Sequence, residues 1–466
     1  MSALKKLFSK VLNNPLLKQS LWSLIARFVG VALNFLVVMI ITNQLPKSSA
    51  GDILLLMTFI TGIALISRLG IDQLLMKEVA SAHQEEFDFH EGFFKASLKA
   101  VLFLSFIFMA LWALSSHYIQ ANFFFDHIAN SNINEKQPNV SITELVAASL
   151  GILFFNLVIL NSTYLKAIKK TVMGVLGQNA LTAITFLVLI GLFWNYFSTD
   201  QYVFYIYTAS LLLAGVIAII YTYRSFANKT AITPSTIETP DKLLETVSKT
   251  TTPPHLYALI SKSLPLAPVS IISFLMIFTD TIMVGWFLAN EQVAEYSVAS
   301  KISYIVLFFL QAMEATIYPR LLNIFSHNKD KLHSFFWQST ALVITVVLSV
   351  TVFMYLLSDW ILIAFGKEYD VAKSALGLLL IAQLFRAATI TFSFMFIIRE
   401  KVRYLNYILV TAFVVNVVCN IIFIQSHGIE GAAFATLVAN ATLLVLIIAL
   451  FAAHKLLTLP KEATQP

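Results

Sequence analysis

Long apolar runs separated by short polar turns repeat along the whole chain. Runs long enough to cross a bilayer, about 20 residues each, fall at about 20–43, 52–68, 93–116, 142–164, 171–195, 202–223, 263–287, 293–316, 334–357, 371–397, 404–425 and 431–454. The pattern predicts about twelve transmembrane helices. Inside several runs the polar residues follow helical spacing. Ser23, Arg27, Gly30 and Asn34 share one face, as do Thr58, Thr61 and Arg68. Ser270, Ser273 and Asp280 align in the seventh run, after Pro265 and Pro268, which should kink or loosen its first turn. Ser297, Lys301, Tyr304 and Gln311 align in the eighth run, and Gln383, Arg386 and Ser393 in the tenth. One polar stripe on an otherwise apolar cylinder is the pattern expected around a hydrated central cavity.

Composition agrees with the runs. The chain of 466 residues is 58% hydrophobic and 12% charged, against about 25% charged in soluble domains. That excludes a soluble protein with one anchor and predicts an all-α polytopic membrane protein. Cys419 is the single cysteine, so there is no internal disulfide, and no Cys-based metal site is expected. The net charge of +6 is read by location rather than as a nucleic-acid signal. With the N-terminus placed in the cytoplasm, Lys47, Lys136, Lys367 and Lys373 fall outside, and Arg27, Lys301 and Arg386 lie within helices. The other 24 of the 31 Lys and Arg residues flank the inside ends. This asymmetry predicts cytoplasmic termini and an even number of helices.

The expected organisation has five parts. Residues 1–19 read as an interfacial amphipathic helix, with Leu4, Leu7, Phe8, Val11 and Leu12 opposite Lys5, Lys6 and Lys10. Residues 20–223 form an N-terminal lobe of six helices. The Thr- and Pro-rich stretch 224–261 is a cytoplasmic linker with a short surface helix near Asp241–Lys249. Residues 262–455 form a second six-helix lobe, and 456–466 a cytoplasmic tail. The lobes look like repeats. Ala50-Gly51-Asp52 opens the second run and Ala294-Glu295-Tyr296 the eighth; Phe93-Phe94 opens the third and Phe335-Phe336 the ninth. Six helices per half makes the repeats parallel, related by a pseudo-two-fold axis along the membrane normal, with the substrate cavity expected between the halves.

Charge inside the runs supplies the candidate chemistry. Intramembrane ionisable residues mark functional sites by default. The stretch 262–322 carries Asp280 in one run and Lys301 in the next, each expected roughly 10–12 Å below the same membrane face. Antiparallel neighbours would let them pair. Arg27, Lys301 and Arg386 are deep and only Asp280 opposes them, while Arg68 and Glu314 lie near the helix ends. A net positive cavity attracts an anion, and the planar fork of Arg fits phosphate oxygens. The candidate substrate-binding residues are Arg27, Asn34, Arg68, Lys301, Gln311 and Arg386, with Asp280 and Glu314 as coupling residues or charge partners. The bland alternatives are snorkelling for Arg27, a structural ion pair for Lys301 with Asp280, and helix–helix contacts for Asn34, Gln311 and Gln383. No Walker, HExxH, GxSxG or paired-carboxylate constellation occurs, so an enzyme, a cofactor and a metal site are not expected.

Three segments carry a resemblance: ARFVGVALNFLVVMIITNQLPKSSAGDILLL at 26–56, TDTIMVGWF and VAEYSVASKIS within 279–303, and NVVCNIIFIQSHGIEGAAFATLVAN at 416–440. With the helix count and spacing, the chain resembles the polysaccharide-transport branch of the multidrug/oligosaccharidyl-lipid/polysaccharide flippase superfamily, especially O-antigen flippases. The resemblance implies two six-helix lobes around a central cavity that alternates between inward-open and outward-open states. It implies a substrate of undecaprenyl-diphosphate-linked oligosaccharide, moved from the cytoplasmic to the periplasmic leaflet of a bacterial inner membrane. It implies cationic side chains for the diphosphate, in agreement with Arg27, Lys301 and Arg386. The partners that go with it are the lipid-linked oligosaccharide, the bilayer, a coupling ion (proton or sodium) and polysaccharide polymerase machinery, with no nucleic acid. Competing readings are a multidrug/cation antiporter of the same fold, a peptidoglycan lipid flippase, and a membrane scaffold that transports nothing.

Overall fold

The structure, a computed structural model, describes residues 15–81, 87–124, 140–197, 202–227, 255–327, 329–454 and 456–457. The expected amphipathic helix at 1–19 has its first fourteen residues outside this set. The expected surface helix at Asp241–Lys249 lies outside it entirely, as do most of the linker and the residues 458–466 of the tail.

The described residues are helical throughout, with no strand among them. Nine of their helices are long and apolar enough to cross a membrane, or ten if the bent pair Thr171–Asn179 and Leu181–Leu192 counts as one span. The chain is a multi-pass membrane protein. Most expected runs appear as helices with shifted ends: Pro15–Gln44, Lys47–Ser67, Phe87–Phe123, Ile142–Ala167, Val203–Ala227, Ala267–Phe287 and Leu332–Leu356. Ser141 opens Ile142–Ala167 with a capping box, its backbone N–H donating to Glu144 Oε2 at 2.8 Å while the Glu144 N–H returns to its hydroxyl. Pro265 sits in a 3-10 turn, Leu264–Leu266, and Pro268 in the first turn of Ala267–Phe287, where a missing N–H costs least.

The last apolar stretch is a helical hairpin. Val402–Ala453 is helical over 52 residues, about 78 Å if straight, more than twice a hydrocarbon core of about 30 Å. At Gly428 the backbone turns to φ 58° and ψ −135°, a region open essentially to glycine alone. Asn420 and Thr436 would stand ~24 Å apart on a straight helix, yet both donate to the carboxylate of Asp280. The two arms therefore fold back on each other at Gly428.

Two compact units are distinguished. One holds residues 1–37, 59–120 and 140–271; the other holds 38–58, 121–139 and 272–466. In the first, Phe94, Tyr164 and Phe226 form an aromatic triad with centroids 4.9–5.6 Å apart. Ile71, Leu75, Val79, Val101 and Leu160 pack into the same buried cluster. Trp112 donates its indole N–H to Leu145 O at 2.8 Å, which satisfies the polar edge of a buried ring. In the second, Phe336, Phe392 and Phe451 stack with centroids 4.8–5.2 Å apart. The end of Pro15–Gln44 and the start of Lys47–Ser67, residues 38–58, belong to this second unit. They are held by contacts at one end. Gly51 presses on the Asn290 backbone so closely that a Cβ there would lie 1.8 Å from its carbonyl oxygen. Asn290 Nδ2 donates to the buried Asp52 at 2.5 Å, and Asn43 Nδ2 to Ala364 O at 2.8 Å.

Candidate functional site

The second unit buries one carboxylate among four donors. Asp280 is 4% exposed on Ala267–Phe287. Asn416 Nδ2 and Asn420 Nδ2 donate to its Oδ1 at 2.9 and 2.6 Å. Tyr296 donates its phenolic O–H to Oδ2 at 2.9 Å, and Thr436 its hydroxyl to the same oxygen. These groups come from Asn290–Ser303 and from both arms of the Gly428 hairpin. An unpaired charge inside a membrane protein is expensive, and four charge-assisted hydrogen bonds offset that cost.

Lys301 is not among the partners of Asp280, contrary to the pairing expected from the sequence. The reason is depth. The helix begins at Asn290 rather than 293, so Lys301 stands eleven residues, ~16 Å, from its start. Asp280 stands seven residues, ~10 Å, from the end of its own helix. Tyr296, six residues or ~9 Å in, reaches the level of the carboxylate and takes that position.

Beside the cluster is a small polar cavity of about 10 Å³, lined by Asp280, Tyr304, Gln383, Arg386, Asn416 and Asn440 among others. That is room for about one water molecule. Tyr304 O–H donates to Ile277 O at 2.6 Å and Asn440 Nδ2 to Ala382 O at 3.1 Å. Two buried amide oxygens of the second unit have no hydrogen-bond partner among the described residues: Gln383 Oε1 and Asn420 Oδ1. Among the described residues neither the Arg386 guanidinium nor the Lys301 ammonium has a hydrogen-bond or salt-bridge partner. Arg386 thus lines the same cavity as Asp280.

The remaining candidates fall out as follows. Arg68, in the first unit, is 4% exposed. Its Nη1 donates to Asn156 Oδ1 at 2.7 Å, and its Nε lies 3.3 Å from Asp72 Oδ2. Asn156 in turn donates to Ser67 and Ser105 hydroxyls at 2.7 and 2.8 Å. Asn34 donates to Gly30 O and Asn179 O at 2.8 and 2.7 Å, joining two helices of the first unit. Arg27, also in the first unit, is half-buried and in electrostatic range of Lys166. Gln311 is exposed and Glu314 half-buried, both in the second unit.

Sequence reasoning missed Tyr296, Asn416, Asn420 and Thr436 as partners of Asp280. One signal was available: Asn416 and Asn420 are a turn apart in an otherwise apolar run, a spacing that puts two amides on one face. Thr436 gave none, because a lone threonine in an apolar helix commonly bonds its own backbone.

The family model described as polysaccharide biosynthesis protein matches residues 16–325, and the MatE model matches residues 265–422. A probable low-salt glycan biosynthesis flippase, Agl15, from Haloferax volcanii is 30% identical over 179 residues. That match spans 36% of this chain and 36% of the relative. Two solved structures share the fold. The inward-facing conformation of a multidrug resistance MATE family transporter of the MOP superfamily has a TM-score of 0.65 at 16% identity, covering 93% of this chain and 98% of its own. The lipid II flippase MurJ in its inward closed conformation has a TM-score of 0.66 at 13% identity, covering 95% and 88%. With well over half of its length matched by that family model, the chain belongs to the polysaccharide biosynthesis protein family.

Proposed function

We propose that this protein is a flippase that moves an undecaprenyl-diphosphate-linked oligosaccharide from the cytoplasmic to the periplasmic leaflet of a bacterial inner membrane by alternating access. In this reading both termini are cytoplasmic, and the chain holds twelve spans in two lobes of six. The observation that carries the reading is Arg386. It lines a polar cavity in a membrane-spanning unit together with Asp280, lies in electrostatic range of Glu314, and makes no direct salt bridge among the described residues. A buried guanidinium compensated only at longer range gains from an anion that binds it directly, and a diphosphate matches its planar donors. Lys301 is a second cation of the same unit with no salt bridge among the described residues, outside the lining of this cavity. A fold alone does not fix a function, and this argument rests on the site.

Asp280 is the coupling residue in the same reading. Its two oxygens, the Thr436 hydroxyl and the amides of Asn416 and Asn420 suit either a proton or a sodium ion. The orphan oxygens of Asn420 and Gln383 stand beside it. Amide orientation follows from the hydrogen-bond network, so a bound cation would turn the amide oxygens of Asn416 and Asn420 inward in place of their N–H groups.

The test is complementation of a flippase-deficient strain by Arg386→Ala and Lys301→Ala, with membrane abundance measured in parallel. The expected result is normal abundance, loss of surface glycan and accumulation of the lipid-linked intermediate. Normal export by both stable variants overturns the diphosphate site. A multidrug antiporter would instead lose drug resistance in Asp280→Asn and keep surface glycan unchanged in all three.

A further inference from the structure

The second unit has an apolar groove apart from the Asp280 site. Its volume is about 620 Å³, and it lies between Leu332–Leu356, the tenth-run helices and the second arm of the Gly428 hairpin. Trp337, Ile344, Ala388, Phe392, Ile448 and Phe451 are among its lining residues. Phe392 and Phe451 are buried beneath it, while Trp337 and Ile448 are 46% and 43% exposed along its edges. The aromatic stack of Phe336, Phe392 and Phe451 fixes the floor, so the groove does not depend on mobile side chains.

Two features say what covers it. The first is depth. From Trp337 to Ile344 is seven residues and from Leu444 to Ala452 eight, about 10 and 12 Å along their helices. That lies within the ~15 Å depth of one leaflet of a core of about 30 Å. The second is charge at one end only. Leu456 lines the groove, and its carbonyl accepts from Arg399 Nε at 3.2 Å. Arg399 also sits over the Phe325 ring at 4.8 Å. The turn 399–403 holds Arg399, Lys401 and Arg403 against Glu400. The His454 ring lies tilted against Tyr404 with centroids 4.3 Å apart, and the Trp337 indole N–H donates to His333 Nε2 at 3.3 Å. A tryptophan with a cluster of cations is the signature of a membrane–water interface. The far end, at Ile344 and Leu444, is wholly apolar.

We propose that this groove binds one acyl chain of an anionic phospholipid, with the headgroup phosphate at the Arg399–Arg403 turn. The site is independent of the flippase reading and stands if that reading fails. Lipid tails are as apolar as the groove wall, so selectivity comes from the rim, where cations near the surface attract anionic headgroups.

The test uses the full chain in nanodiscs with acyl-brominated lipids, which quench a tryptophan in contact with the bromine. In a variant that keeps Trp337 and has the other five tryptophans changed to Phe, brominated phosphatidylglycerol is expected to quench at a several-fold lower mole fraction than brominated phosphatidylcholine. The same experiment on a variant that keeps Trp360, 78% exposed, should show no preference. Ala388→Phe, which fills the groove, and Arg399→Gln, which removes rim charge, should each abolish the preference at Trp337. If the single-tryptophan chains fold poorly, native mass spectrometry of the unmodified chain replaces them. Retained phosphatidylglycerol should then drop in both substituted chains. Equal quenching by both lipids, a preference unchanged by Ala388→Phe, or displacement by undecaprenyl phosphate but not by phosphatidylglycerol overturns the proposal; the last result would make the groove a seat for the polyprenyl chain instead.

Discussion

Lys47 Nζ lies 2.6 Å from Glu295 Oε1, joining the start of Lys47–Ser67 to the first turns of Asn290–Ser303. Both side chains are mostly buried, at 16% and 12% exposure. Lys47 also donates to Glu368 O at 3.1 Å and faces the Tyr369 ring at 5.5 Å. Glu295 and Gly51 belong to the sequence pair that suggested an internal repeat, and here the two repeat positions pack in one place. Breaking the pair leaves a charge without its partner. The cost should fall between the ~1 kcal/mol of an exposed pair and the ~3–5 kcal/mol of a fully buried one. Lys47→Glu and Glu295→Lys should each lower the thermal midpoint in detergent, and the double exchange should recover much of the loss.

The same pair reports on alternating access. In a Cys419→Ser background, Lys47→Cys with Glu295→Cys should be bridged by a short, reducible bifunctional thiol reagent, because the native side chains meet only at their tips. Transport is expected to stop when the bridge forms and to return on reduction. Full transport by the bridged protein would show that these ends stay together through the cycle.

Asp280→Asn keeps the shape of the side chain and removes its charge. Abundance should hold, because the amide oxygen still accepts from Asn416 and Asn420 and the amide N–H groups can donate to the Thr436 and Tyr296 hydroxyls, while dependence of transport on proton or sodium gradient should disappear. Asn420→Ala removes one hydrogen bond to the carboxylate and should cost about 1.5–3 kcal/mol of stability, read as a lower thermal midpoint.

Arg68 and Arg386 should behave differently although both are intramembrane arginines. Arg68→Met strands Asp72 and the Asn156 amide in the first unit, a loss of roughly 3–5 kcal/mol. Its phenotype should be low membrane abundance. Arg386→Ala breaks no hydrogen bond within the described residues and should leave abundance intact. Immunoblots of membrane fractions beside glycan export separate the two.

Three glycines make a graded test. Gly51→Ala drives a methyl into the Asn290 carbonyl and should cost 1–3 kcal/mol or more. Gly428→Ala forces a side chain into φ 58°, ψ −135°, a cost of about 1–3 kcal/mol. Gly191 is helical with nothing within 4 Å of a Cβ, so Gly191→Ala should be neutral or stabilise by about 0.4–1 kcal/mol.

The helices, and Asp280 as a charge buried inside one of them, were legible in the sequence because both depend on local quantities. An apolar run is visible in a window of 20 residues, and an aspartate inside one stands out at once. The partners of Asp280 were not legible. Asn416, Asn420 and Thr436 lie 136–156 positions away, and no local periodicity encodes which helices pack together. The Lys301 pairing failed on a three-residue shift at a helix start, about 4.5 Å of depth. The 48° bend between Asn179 and Leu181 was invisible for a related reason. The break falls at Ala180, a good helix former, so tertiary packing rather than local propensity accounts for it.

The hairpin turn at Gly428 makes Asp280 a rivet. Asn416 and Asn420 hold one arm to it, Thr436 the other, and Tyr296 brings a third helix to the same two oxygens. On the proposed reading, loss of the charge at that rivet would loosen both arms at once, and one protonation would be delivered as a change in the angle between two helices.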